Sequence, residues 1–295
     1  MNKKHWLVYA LVTTFFWGVW GAFSEIPEKN GFPGTLIYVV WSLSMIIPAF
    51  FALKQVDWKI ETDKKSLFYG LLIGFLGAGG QLALLSRAIV TGPAYLIFPI
   101  ISLSPVVTII LSTLVLKERA GWKGWTGIVI ALVAIPLLSY QAPEDGAANY
   151  TWLIYALIVF FAWGLQAFYM RKANESMSAE SIFFYMTLTG LALSIVAVLM
   201  TDFSKDINWG FNGPGLAFLI QILNAIGALT IVYAFRYGKA IIVSPLTNAV
   251  APVITIIISL ILYAVFPNNI VLTGMVLALA SMLILSFDDE DDSGM

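Results

Sequence analysis

Cysteine is absent, which excludes disulfides and thiolate metal sites and leaves the redox compartment unmarked. Histidine occurs once, as His5 close to the N-terminus, so histidine catalysis or ligation deep in the fold has nothing to work with. Charge is scarce: 11% of residues are charged, against roughly 25% in an ordinary soluble domain. The net charge of −1 supplies no basic surplus, so nucleic acid is not an expected partner. No cofactor or metal signature is present either.

What fills the chain instead is apolar. Hydrophobic residues make up 60% of 295, more than a soluble core of that size can bury, whereas lipid solvates apolar outer faces directly. A spanning helix needs about 20 such residues, and ten runs qualify: 6–24, 35–53, 66–89, 94–116, 122–140, 150–170, 179–200, 214–237, 240–265 and 268–287. Gly, Pro, Asn and charged residues punctuate the connections. The expected fold class is an all-α integral membrane protein of ten transmembrane helices.

Charge tests this map. With the N-terminus on side A, ten crossings place Lys3, Lys4, Lys54, Lys59, Lys64, Lys65, Lys117, Arg119, Lys123, Arg171, Lys172, Arg236 and Lys239 on side A. Only Lys29, Arg87 and Lys205 fall on side B. The positive-inside rule makes side A cytoplasmic, with both termini inside and the chain multi-pass in the cell (inner) membrane. A cleaved signal peptide is the alternative for the first run, but no small-x-small site follows it.

The first run also has a counterpart later. A shift of 146 lays Tyr9-Ala10-Leu11 on Tyr155-Ala156-Leu157, Trp17-Gly18 on Trp163-Gly164, Gly92 on Gly238 and Pro99 on Pro245. After one inserted residue, a shift of 147 lays Pro105–Ser112 on Pro252–Ser259 with six of eight identities, and Thr126-Gly127 on Thr273-Gly274. Matches of Trp, Gly, Pro and Thr in order define two units, 1–145 and 146–295. A unit of five helices is odd, so the second copy enters from the opposite side: two inverted five-helix repeats.

Inverted repeats can exchange conformations, opening one site alternately to each side, which is a device for transport. The helix breakers locate that site. Pro99 and Pro105 in the fourth run match Pro245 and Pro252 in the ninth, and each removes a backbone donor and leaves carbonyls that must face protein or a watered cavity. The bland alternative is a kink with repacking. Nearby polar residues are Ser102, Ser104, Thr247 and Asn248, with Gln81 beside Gly77, Gly79 and Gly80. Gln166 follows Trp163 by one turn, and Gln221 and Asn224 share a face. Each is either a substrate-binding group or a helix-to-helix bond. Trp17, Trp163 and Tyr95 supply apolar or stacking walls, whereas Trp6, Trp122 and Trp152 read as interfacial belt residues. Gly70-x-x-x-Gly74 and Gly124-x-x-Gly127 read as packing sites. Glu25 and Arg87 close the first and third runs toward side B, as an outer-gate pair or as two separately solvated charges. No Asp or Glu falls mid-span, so a uniporter or exchanger is expected rather than a proton-driven pump.

Phe16-Trp17-Gly18 with Ala162-Trp163-Gly164, Ala88…Gly92…Ala94 before Pro99 and Pro105, and Leu116-Lys117-Glu118-Arg119 with Gly127 resemble the drug/metabolite transporter superfamily, more narrowly EamA-type transporters. In the second copy Tyr263-Ala264-Val265-Phe266 replaces the Leu-Lys-Glu-Arg segment, so any role of Glu118 is not duplicated. The resemblance implies a central cavity lined by helices 1, 3, 4, 6, 8 and 9, helices 5 and 10 at the periphery, and a small polar or aromatic metabolite as substrate, often exported. The expected partners are that solute and the bilayer; a homodimer is compatible with the sequence but not specified by it. A non-transporting scaffold or sensor is the rival reading. An intramembrane lipid-acting enzyme lacks the nucleophile–base pair or metal cluster it would need.

Overall fold

The computed structural model describes residues 5–88, 97, 100–140, 151–263 and 266–286. Every regular element among them is helical: α1 His5–Phe23, α2 Ile26–Lys29, α3 Gly34–Ser44, α4 Ile46–Gln55, α5 Lys64–Ala83, α6 Pro105–Val115, α7 Trp122–Leu138, α8 Thr151–Ala173, α9 Ala179–Leu199, α10 Leu216–Tyr237, α11 Ala240–Tyr263 and α12 Asn269–Ser286. A π-helical turn, Leu84–Ala88, ends α5, and another, Phe211–Gly215, leads into α10.

Local chemistry sets the boundaries. Asp63 caps α5 by accepting from the backbone N–H groups of Lys65 and Ser66. Ser178 caps α9 through the N–H of Ser181. Helix α10 stops at Gly238, and α6 begins with Pro105 in its first turn, where the missing N–H costs nothing.

Eight helical segments among the described residues are long and apolar enough to cross a membrane, and two apolar ones are shorter, Ile100–Val115 and Trp122–Leu138. Large apolar side chains such as Phe15, Phe68, Phe75, Phe161 and Leu199 stand on the outside. Helices that hide glycine, alanine and polar groups inside and show Phe and Leu outside are solvated by hydrocarbon, so this is a multi-pass membrane protein.

Helix contacts come in matched sets. Helix α1 packs on α10 and α11, and its repeat counterpart α8 packs on α5 and α6. Helix α3 meets α10, as α9 meets α5, while α7 pairs with α12 at the periphery. Atomic detail repeats too. The Thr255 hydroxyl donates to the carbonyl of Gly18 at 2.8 Å, and the Thr108 hydroxyl to that of Gly164 at 2.9 Å. A β-carbon on Gly18 would lie 2.9 Å from the Ala251 carbonyl, and one on Gly164 2.6 Å from that of Ser104. Glycine is required at both crossings because backbone meets backbone there. The other glycine motifs also pack: Gly70 and Gly74 seat Tyr185 and Thr189 of α9, and Gly127 seats Leu285.

Two expectations need correction. The matched prolines do not interrupt both helices. The chain turns at Leu103 and Ser104 before α6, but α11 runs through Pro245 and Pro252 unbroken. Thr247 and Asn248 support that stretch by bonding back to the carbonyls of Val243 and Ser244. Nor do Trp6 and Trp152, which occupy matching repeat positions, form a lipid-facing belt. They are 7% and 5% exposed and pack on protein, whereas Trp122 is 73% exposed.

Candidate functional site

The glycines of α5 and α10 let two tryptophan-bearing helices press inward. A β-carbon on Gly227 would fall on the Trp17 ring, and one on Gly80 would lie 2.6 Å from Nε1 of Trp163. Gly77 likewise makes room for the Gln166 amide. Trp17 and Trp163 therefore hold equivalent positions, one in each half, set on glycine floors.

Their polar surroundings differ. The Trp17 indole N–H donates to the Asn224 carbonyl at 3.3 Å, and that of Trp20 to the Gln221 side-chain oxygen at 3.1 Å. On the side of α1 both indole N–H groups are thus satisfied, and the Gln221 oxygen acts there as a helix-to-helix bond. On the side of α8, Gln166 takes the position that Trp20 holds in the first copy. Among the described residues the amides of Gln81, Gln166 and Asn224 make no hydrogen bond, yet none is among the sealed unpaired groups, which include Tyr38 and Trp152. Gln81 and Asn224 are only 8% and 9% exposed. Buried amides that keep access to space and lack a partner are poised to accept one.

The remaining candidates separate clearly. Ser102 is half-buried just ahead of the turn before α6, Pro245 is buried in α11, and Asn248 is half-buried with its amide nitrogen engaged by Ser244. Tyr95 and Pro99 lie outside the described residues. Glu25 pairs with Lys29 at 2.7 Å on its own helical turn, both largely exposed, while Arg87 stands exposed in the π-helical turn after α5.

Sequence reasoning missed how the side-A end is fastened. Tyr9 of α1 inserts between Tyr233 and Tyr237 of α10, with ring centroids at 5.0 and 5.8 Å. The Tyr233 hydroxyl also donates to Glu180 of α9 at 2.6 Å. Asn174, just past α8, donates to the carbonyls of Met170 and Val232. Glu118 accepts from Arg171 Nε at 2.9 Å and from the backbone N–H of Ile241 at 3.2 Å, so the loop after α6 ties the end of α8 to the start of α11. Burial pushes the Glu118 carboxyl up, and the Arg171 charge and the Ile241 N–H pull it partly back. Glu61, in the loop before α5, accepts from the hydroxyl and N–H of Ser178, while Tyr185 donates to its carbonyl. Burial raises the Glu61 carboxyl, but the combined hydrogen bonds from Ser181 and Ser178 outweigh it and hold it below the usual value. The repetition of Tyr9 at Tyr155, with no tyrosine partner repeated on α5, was the available signal.

Two surface clefts accompany these ties. One of about 360 Å³ is lined by Lys117, Glu118, Arg119 and Lys239. The other, of about 400 Å³, lies toward side B beside Glu28, Thr35, Leu85 and Asp202.

Comparison with known proteins covers nearly the whole chain. The profile of the EamA-like transporter family matches twice, at residues 4–140 and 150–287. An uncharacterized protein of Methanocaldococcus jannaschii is 33% identical over 134 residues, 45% of this chain and 95% of its own length, so that relative is about one repeat long. Protein RarD of Streptomyces exfoliatus is 23% identical, covering 84% of this chain and 75% of its own. Protein LicB of Haemophilus influenzae is also 23% identical, covering 69% and 75%. A solved structure titled only as the crystal structure of a protein superposes with a TM-score of 0.78 at 14% identity, over 96% of this chain and 98% of that one. That likeness concerns the fold.

Proposed function

Because the chain belongs to the EamA-like transporter family of the drug/metabolite transporter superfamily, we propose that it is a secondary carrier. In this reading ten spans form two inverted five-helix repeats, 1–145 and 146–295, and exchange conformations to move a small polar or aromatic metabolite across the cytoplasmic membrane. The observation that carries the reading is the set of unpartnered amides, Gln81, Gln166 and Asn224, beside Trp17 and Trp163 on glycine floors. The tryptophan faces take an apolar or aromatic body, and the amides take its polar edge.

The ties at the side-A end support a state closed toward that side, which the basic residues make cytoplasmic. Opening it requires parting Tyr9 from Tyr233 and Tyr237, and Glu118 from Arg171 and Ile241. No Asp or Glu among the described residues lies mid-span; Glu118 sits in a loop and Glu180 in the first turn of α9. This favours uniport or exchange, with export the direction the family resemblance implies.

The test is counterflow in proteoliposomes, with solutes chosen by a thermal-shift screen of amino acids, nucleobases and sugars, since a bound solute stabilises the state that binds it. Leaving a buried partner unsatisfied costs about 1–3 kcal/mol, or roughly ten- to a hundredfold in affinity. Gln166→Ala should therefore raise the half-saturating concentration by that factor at unchanged folded yield. Absence of flux for every solute that shifts the melting temperature would instead favour a sensor.

A further inference from the structure

The cleft lined by Lys117, Glu118, Arg119 and Lys239 lies outside the solute site, and of its residues the transport reading uses Glu118 alone, as a side-A tie. Its one carboxylate is committed: Glu118 is held by Arg171 and by the N–H of Ile241, and its side chain is only 6% exposed. What the cleft presents to the outside is cationic. Lys239 reaches across it, donating one of its ammonium protons to the Arg119 carbonyl at 2.9 Å and keeping two. Among the described residues neither Lys117 nor Arg119 has an acidic partner.

Two further features define what would fit. Lys117 holds a backbone φ of 56°, the left-handed region in which glycine is the unstrained choice. This turn closes α6, with the N–H groups of Leu116 and Glu118 both on the Ser112 carbonyl, so a side chain is kept where glycine would serve the backbone better. The residues just before and after these in sequence are apolar and outward-facing: Leu114 is 72% exposed, and Val115, Trp122 and Trp125 are also exposed. Exposed tryptophans at a helix start mark headgroup depth, and Leu114 and Val115 extend toward the hydrocarbon. Cations at headgroup level above an apolar strip match an amphiphile better than a free ion.

We propose that this cleft binds the phosphate headgroup of one anionic phospholipid, held by Lys117, Arg119 and Lys239, with its acyl chains along Leu114, Val115 and Trp122. Under the orientation proposed above it draws that lipid from the cytoplasmic leaflet, where anionic lipids attract juxtamembrane basic groups. Its occupant would also brace the loop that carries Glu118. The proposal does not depend on which solute is carried.

The experiment uses the purified full chain, with bound lipid counted by native mass spectrometry and thermal unfolding followed with added phosphatidylglycerol, phosphatidylcholine or inorganic phosphate. Wild type should retain one phosphatidylglycerol and gain melting temperature from it, but not from phosphatidylcholine or millimolar phosphate. Each basic group near an anionic surface is worth a factor of about five, so the Lys117→Gln, Arg119→Gln double variant should retain about twenty-fivefold less. A Lys54→Gln, Lys59→Gln control removes the same charge elsewhere on side A and should retain wild-type lipid. Lys117→Gly separates binding from folding: relieving the left-handed turn should raise lipid-free stability while phosphatidylglycerol retention falls. The proposal is overturned if the double variant behaves like the control, or if Lys117→Gly retains lipid fully. Equal stabilisation by inorganic phosphate would overturn it in favour of a soluble anion, and equal stabilisation by phosphatidylcholine would show no headgroup selection.

Discussion

Single residues divide into those whose partner is fixed and those left open, and this division was only half legible in the sequence. Residue type and depth singled out Gln81, Gln166, Gln221 and Asn224 alike, yet Gln221 is consumed by Trp20 while the others have no partner among the described residues. No periodicity separates these cases, because the difference lies in which indole on a neighbouring helix reaches across. Charged residues were legible for the opposite reason: they fall in loops and at helix ends. What they bind was not. Glu61 illustrates this, since it sits far from Ser178 in sequence and holds the start of α9. Its carboxyl lies below the ordinary value of 4.5, so its contribution to stability is complete above that pH and disappears as pH falls through the lower folded value. Thermal unfolding of wild type should therefore fall off more steeply on acidification below about pH 4.5 than that of Glu61→Gln, the two curves converging at the acid end. Parallel curves would remove Glu61 from the account.

Elements were easier to read than residues, because a span is a matter of length and apolarity while its breaks depend on surroundings. Asp63 and Ser178 set the starts of α5 and α9, and Gly238 ends α10. The behaviour of matched prolines was not visible: Pro105 starts a helix after a turn, while Pro252 lies inside one. A helix tolerates proline where neighbouring helices hold it in place, and α11 is packed by α1, α6, α7 and α12. Contacts between elements carry the duplication further than the sequence did. Thr108 on Gly164 and Thr255 on Gly18 are one interaction made twice. Side-chain hydrogen bonds between membrane helices are worth about 0.6 kcal/mol on average and up to about 1.7 kcal/mol. Thr108→Val and Thr255→Val should each lower unfolding stability within that range and by similar amounts, as read by steric-trap or detergent titration. A loss at one position with none at the other would show that the two crossings are not equivalent.

At the scale of the molecule, the family, the two repeats and the membrane setting were all legible, since composition and ordered matches of Trp, Gly, Pro and Thr do not depend on side-chain conformation. The conformational state was not, because it is decided by contacts between the halves. Across the halves the side-A end is fastened by the tyrosine stack and by Glu118, whose Leu-Lys-Glu-Arg segment has no copy in the second half. In the proposed carrier, a latch present in one repeat only would bias a near-symmetric exchange toward one of its two states, and a few kcal/mol suffices to make the other state rare. The most direct measurement exploits the absence of cysteine, which allows spin labels to be placed without background. One labelled pair, at Lys172→Cys and Arg236→Cys, reports the side-A ends of α8 and α10; a second, at Lys29→Cys and Arg87→Cys, reports side B near the ends of α1 and α5. Pulsed electron resonance in proteoliposomes should give a short side-A distance in the parent chain. With Glu118→Gln added, a second population should appear in which the side-A pair is longer and the side-B pair shorter, in equal proportions. Lengthening at side A while the side-B distance stays fixed would mean local fraying, and would contradict a carrier that works by exchanging the conformations of its halves.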